Sequence, residues 1–251
     1  RFIAWGAVTS VIFPVIVGFK SGFPEAAKFE QQMIKVAQSL DSPLSSTKDL
    51  AKTITDLSIS LGVSSSGLSD ISRILAQAGL STKDTAIALK ALAKTELSPS
   101  FEDIKNTTEG VIAVMHQFKK SASDMEAVLG SVATVSAKYA VESTDIISAV
   151  RKTGGAFAAA GGDINELMAL FTSVRQTTRE SADSITTGFR TIFTRIQRGS
   201  TIEYLKQLGI NLRDLQGQFI GPYESIRKIS EALKGIPTTS PIFAQIVEEL
   251  G

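Results

Sequence analysis

The sequence predicts an all-α protein of stacked helical hairpins built from short amphipathic helices, with one small β-hairpin near residues 210–220 and an apolar N-terminal helix. Three observations carry this expectation. Apolar residues recur at three-and-four spacing along most of the chain. The clearest case is Thr177–Arg198, where Ile185, Phe189, Ile192, Phe193 and Ile196 form one stripe and Thr186, Arg190, Thr191, Thr194 and Arg195 fill the other side. A small polar residue is followed three places later by an acid at Ser46/Asp49, Ser81/Asp84, Ser100/Asp103, Ser123/Glu126, Asp163/Glu166 and Ser200/Glu203. Each pair reads as a capping box, in which the first side chain takes an orphan amide of the new helix and the acid reaches back. Only between Gly209 and Pro222 does the period change to two.

Taken in order, the chain opens with an uncharged run of eighteen residues, Phe2–Phe19, between Arg1 and Lys20. A helix of about 20 apolar residues crosses a bilayer, so this run has the reach of a membrane segment, with Trp5, Ile12, Phe13 and Val17 as its contacts. A buried first helix is the alternative. The expected division is therefore 1–24, apolar and membrane-inserting, and 25–251, a helical core domain. The chain starts without Met and stops directly after an apolar periodic run, and reads as a fragment of something longer.

Helices are predicted over Pro24–Ser39, Thr47–Leu61, Leu68–Ala78, Thr82–Thr95, Pro99–Lys119, Asp124–Tyr139, Ser143–Ala160, Ile164–Thr178, Ser181–Gln197, Ile202–Leu208, Pro222–Leu233 and Pro241–Leu250. Gly79 and Gly162 supply left-handed stops before two of the caps. Five caps fall 35 to 42 residues apart, a spacing that fits stacked hairpins, or a repeat solenoid without tetratricopeptide or ankyrin wording. In the exceptional stretch Ile210 and Leu212 alternate with polar residues, Asp214–Gly217 is a turn, and Phe219-Ile220 follows. That is a hairpin, or failing that an irregular loop of the same length.

Composition bounds the chemistry. At 251 residues, 43% hydrophobic and 20% charged, the chain can bury one sizeable core or two small ones. Its 26 basic and 25 acidic residues nearly cancel, so no global field draws it onto nucleic acid. Between Arg175 and Arg213 seven basic residues face three acids, an excess read as the solvated side of amphipathic helices. Without cysteine there are no disulfides or thiolate metal sites, and the lone His116 has no second histidine to complete one. Gly154-Gly155 and Gly161-Gly162 follow no strand and precede no Gly-Lys-Ser/Thr, so they read as packing and helix-end glycines. No catalytic constellation, cofactor site or metal site is expected.

Several segments carry a family resemblance: Phe29–Met33 (FEQQM), Lys152–Leu170 (KTGGAFAAAGGDINELMAL), Glu180–Gln197 (ESADSITTGFRTIFTRIQ), Ile202–Leu212 (IEYLKQLGINL) and Gly221–Ile236 (GPYESIRKISEALKGI). In this order they resemble the core region of phage tail tape measure proteins, from a long-tailed phage or prophage. The resemblance spans Phe29 to Gly251 and is most specific in the second half. It implies a structural protein of the virion tail, assembled in the host cytoplasm, that organises tail-tube assembly, sets tail length and takes part in genome ejection. It also implies partners: the tail tube protein, tail assembly chaperones, other copies of itself, and the host membrane during infection, with no sequence-specific nucleic acid contact. It carries over no catalytic residue. Two other readings are an α-helical protein-protein interaction module unrelated to phage tails and a cell-wall hydrolase whose domain lies outside this segment.

Overall fold

Every regular element among the described residues, 26–41 and 44–251 of a computed structural model, is a helix. These residues divide between Leu97 and Ser98 into two compact units. In the first, α1 (26–39) is followed by a 3-10 turn, Leu44–Thr47, then α2 (Lys48–Leu61), α3 (Ser65–Gln77) and α4 (Thr82–Thr95). Helices α2, α3 and α4 pack pairwise around Leu50, Ile54, Leu68, Ile71, Leu75, Leu89 and Leu92, which are essentially fully buried. Gln32 Nε2 donates to Ser66 Oγ at 2.7 Å and so ties α1 to the start of α3.

The second unit contains α5 (Ile104–Gln117), a 3-10 turn (Ala122–Asp124), α6 (Met125–Tyr139), α7 (Ser143–Ala159), α8 (Ile164–Thr178), α9 (Ala182–Arg195), α10 (Gly199–Gln207), α11 (Pro222–Lys234) and α12 (Pro241–Leu250). Its centre is α7. The most extensive packing of α7 is against α5 and α9, each two α-helices away, rather than against its chain neighbours α6 and α8. The unit is thus arranged around one helix, where the sequence predicted a succession of hairpins. The cause lies on α7 itself: Ile146, Ile147, Ala149, Val150, Thr153, Gly154 and Phe157 are all buried, a stripe wide enough for several partners.

Close approach on the α5 side depends on missing side chains. A Cβ on Gly110 would lie 2.5 Å from Ile147 Cγ2, and one on Gly154 would lie 2.8 Å from the Phe118 ring. Gly162 serves packing as well, because its Cβ would fall 2.2 Å from the Phe157 ring. The left-handed stop after α7 is therefore Gly161, at φ 87°, one residue before the predicted one.

Capping follows the sequence reading in part. Asp163 and Glu166 form the expected box, and Ser81 Oγ accepts from Asp84 N at 3.1 Å. Elsewhere the cap sits a few residues away. Asp103 caps α5 through Lys105 N and Asn106 N, Ser121 and Asp124 form the box before α6, α2 starts after Thr47, and α10 starts after Arg198.

The predicted β-hairpin at 210–220 is not formed, and no strand occurs among the described residues. A single antiparallel bridge joins Arg213 and Phe219, flanked by Ile220 N to Leu212 O at 3.1 Å. The Asp214 carboxylate explains the difference. Its Oδ1 accepts from Gln216 N at 2.9 Å and Gln218 N at 2.7 Å, so donors a ladder would use are satisfied inside the turn. Ile210 and Leu212 are drawn into a core formed with helices α10 to α12, and a two-stranded ribbon has little stability of its own to resist. The predicted apolar N-terminal helix falls outside the described residues. Among those described, no helix is long and apolar enough to cross a membrane.

Candidate functional site

The amphipathic stripe of α9 lies against α7. Ile185, Phe189, Phe193 and Ile196 are buried and Ile192 is half-buried, so the five anchor positions share the inward face. Phe193 is fully enclosed. Its ring meets Phe157 of α7 edge to face, with centroids 4.7 Å apart, and Phe189 at 5.2 Å. Thr186 departs from the sequence reading: placed among the solvent-side residues, it is buried, with its hydroxyl donated to Asp183 O at 3.1 Å. That bond to the helix's own backbone lets a threonine occupy an inward position. Lys152 of α7 and Asp183 of α9 close the same interface with an ion pair at its exposed edge.

Ile196, just past α9, begins a second cluster with Ile202, Leu205, Ile210, Leu212, Ile229 and Ile246. Helix α12 is pinned onto it by three polar bonds. Arg195 Nη1 donates to Glu248 O at 2.8 Å, Tyr204 OH to Gln245 Oε1 at 3.0 Å, and Thr201 Oγ1 to Glu249 Oε2 at 3.2 Å. Much of the basic excess read around Arg175–Arg213 is thereby occupied: Arg175 pairs with Asp145, and Arg213 Nη1 donates to Gly217 O at 2.8 Å.

A groove of about 820 Å³ runs between α6 and α8, walled by uncharged residues including Gly130, Ser131, Thr134, Met168 and Thr172. His116 is exposed near the end of α5. No group of three or more His, Asp or Glu among the described residues is placed to hold a metal ion. Trp5, Ile12, Phe13 and Val17, the proposed membrane contacts, lie outside the described residues.

Sequence reasoning missed Phe157. It stands within the run Ala156–Ala160, whose small residues suggested helix contact without marking the ring as an anchor.

The site is thus a set of helix-packing surfaces along α7, α9 and α12, and a family comparison gives them context. A family model described as phage-related minor tail protein matches residues 51–250. The chain belongs to the phage-related minor tail protein family. It is accordingly a structural protein of the virion tail. The match covers α3 to α12 and nearly all of α2, so it reaches into both compact units, and it sets aside the reading as an interaction module unrelated to phage tails. No solved structure matches the chain.

Proposed function

We propose that this minor tail protein is the core of a tape measure: it organises polymerisation of the tail tube, its length sets the length of the tail, and it leaves the tube ahead of the DNA. The observation that carries the reading is the overlap of the family match, residues 51–250, with the ordered segments Lys152–Leu170, Glu180–Gln197, Ile202–Leu212 and Gly221–Ile236, whose wording resembles tape measure cores. The helical architecture supports it physically. A chain of helices has a fixed rise of about 1.5 Å per residue when drawn out, so sequence length converts directly to distance. The role is structural and not enzymatic; tail tube protein, assembly chaperones and further copies of the chain are its partners. Envelope contact during ejection rests on the uncharged run Phe2–Phe19 alone. Electron microscopy of particles carrying in-frame deletions in this protein tests the reading, because tails must shorten with the residues removed.

A further inference from the structure

At two helix ends in the 98–251 unit the residue that caps the helix is itself left-handed and is not glycine. Ala140 closes α6 at φ 50°, ψ 46°, and Arg179 closes α8 at φ 59°, ψ 14°. A side chain crowds its own carbonyl in this region, so glycine or asparagine usually takes the place. Gly62, Gly79, Gly161 and Gly209 follow that preference at or beside their helix ends, whereas Asp41 and Lys119, at φ 47° and 53° beside the ends of α1 and α5, are further exceptions. Alanine is the strongest helix former and arginine is among the strongest, so the residues at these two ends favour the helical conformation that the fold denies them. The connections agree. Ala140-Val141-Glu142 leads into α7 and Arg179-Glu180-Ser181 into α9, each without glycine or proline, so nothing in them forbids a helix from running through.

The two strained ends are fastened to each other. Arg179 Nη1 donates to the carbonyl of Ala140 at 3.4 Å. About one turn earlier, Arg175 Nε donates to Asp145 Oδ2 at 2.9 Å, a largely shielded pair that joins the last turn of α8 to the first turn of α7.

We propose that the α6–α7 and α8–α9 connections are convertible hinges, held bent by the Arg179–Ala140 and Arg175–Asp145 contacts, and that each helix pair straightens into one continuous helix when this latch opens. The purpose of straightening, extension within a tail tube, rests on the tape measure reading; the hinge itself rests on backbone conformation, sequence and latch. The two junctions would then be where a compact unit becomes a rod, while the glycine-stopped junctions stay bent.

None of the 251 residues is cysteine, so introduced cysteines are the only thiol labelling sites among them. Full-length chain carrying Ala127→Cys and Ala159→Cys, both at exposed positions on α6 and α7, is spin-labelled and measured by pulsed electron paramagnetic resonance, first purified and then in assembled tails. One continuous helix places the labels about 48 Å apart, and the bent form, in which α6 and α7 pack together, holds them well below that. A short distance in the purified chain and a population near 48 Å in tails is expected. The same short distance in both overturns the hinge. Ala140→Gly provides a second reading: it should raise Tm by about 2–4 °C and deplete the long-distance population in tails. An unchanged or lower Tm shows that no strain is held at Ala140 and also overturns it. A long distance combined with tails that ignore deletions would leave the hinge standing and remove the ruler; a short distance with proportionally shortened tails would do the reverse.

Discussion

Phe157 on α7 and Phe193 on α9 meet edge to face, their ring centroids 4.7 Å apart and their planes inclined by 60°. Both rings are fully buried, so the contact joins the central helix to the helix whose sequence is most characteristic of the chain. Phe193→Ala should destabilise the protein by about 3–5 kcal/mol, and Phe189→Ala by less, since Phe189 keeps 7% of its surface exposed. A double-mutant cycle on Phe157 and Phe193 should give a coupling of about 0.5–1.5 kcal/mol. Denaturant titration checks both; equal losses at 189 and 193, or zero coupling, would contradict the packing described.

Close approach of α5 and α7 should be as sensitive to an added methyl as to a lost ring. Gly110→Ala places a Cβ 2.5 Å from Ile147 Cγ2, a contact that something must move to accommodate. The expected cost is about 1–3 kcal/mol. Combined with Ile147→Ala, the loss should be smaller than the sum of the two single losses, because the second change removes the obstructing atom. Strict additivity would place the two residues apart.

Acid should weaken the fold through identifiable carboxylates. Hydrogen bonds from the Ser121 hydroxyl and backbone amide hold Asp124 below its ordinary value of 3.8, and the Arg227 guanidinium does the same for Glu224 from 4.5. A depressed folded-state value contributes stability that is present above the ordinary value and lost as pH falls through the depressed one. Glu96 acts in the opposite sense: desolvation raises it, so its contribution is present below 4.5 and is lost as pH rises through its folded value. Thermal melting between pH 5 and about pH 2 should fall steadily, and Asp124→Asn should flatten part of that fall while Glu96→Gln leaves it in place. An unaltered acid limb in Asp124→Asn would contradict the assignment.

His116 is exposed on α5, and the proposal of a non-enzymatic role gives it no part in function. His116→Ala should therefore leave melting temperature, tail assembly and infectivity at wild-type levels. A loss of infectivity with normal protein amounts, measured by plaque assay and immunoblot, would count against a purely structural role.

Much of this fold is legible from periodicity because burial sorts residues by side. Ile185, Phe189, Phe193 and Ile196 could be read as one inward stripe from spacing alone, and the structure places them together. What spacing could not reveal is the partner: Phe157 lies 36 positions earlier and looks like part of an alanine-rich run. Thr186 was hidden for another reason, since residue type suggests solvent while its hydroxyl is satisfied by Asp183 O and so tolerates burial. In the 210–220 stretch the alternation of Ile210 and Leu212 is real, but it reports burial against helices, and the Asp214 side chain replaces the ladder that alternation usually implies. The ends of α6 at Tyr139 and α8 at Thr178 fall where periodicity puts them, although neither Ala140 nor Arg179 announces a left-handed stop.

The central claim, that this chain measures the tail, meets its most direct test in a series of in-frame deletions. Each should be cut at helix boundaries, for example removing α10 and α11 together, and the tails measured by electron microscopy. The account predicts intact tubes shortened by about 1.5 Å for each residue removed, in a linear series. Tails of wild-type length from a deletion protein shown by mass spectrometry to be present in the particle would contradict it.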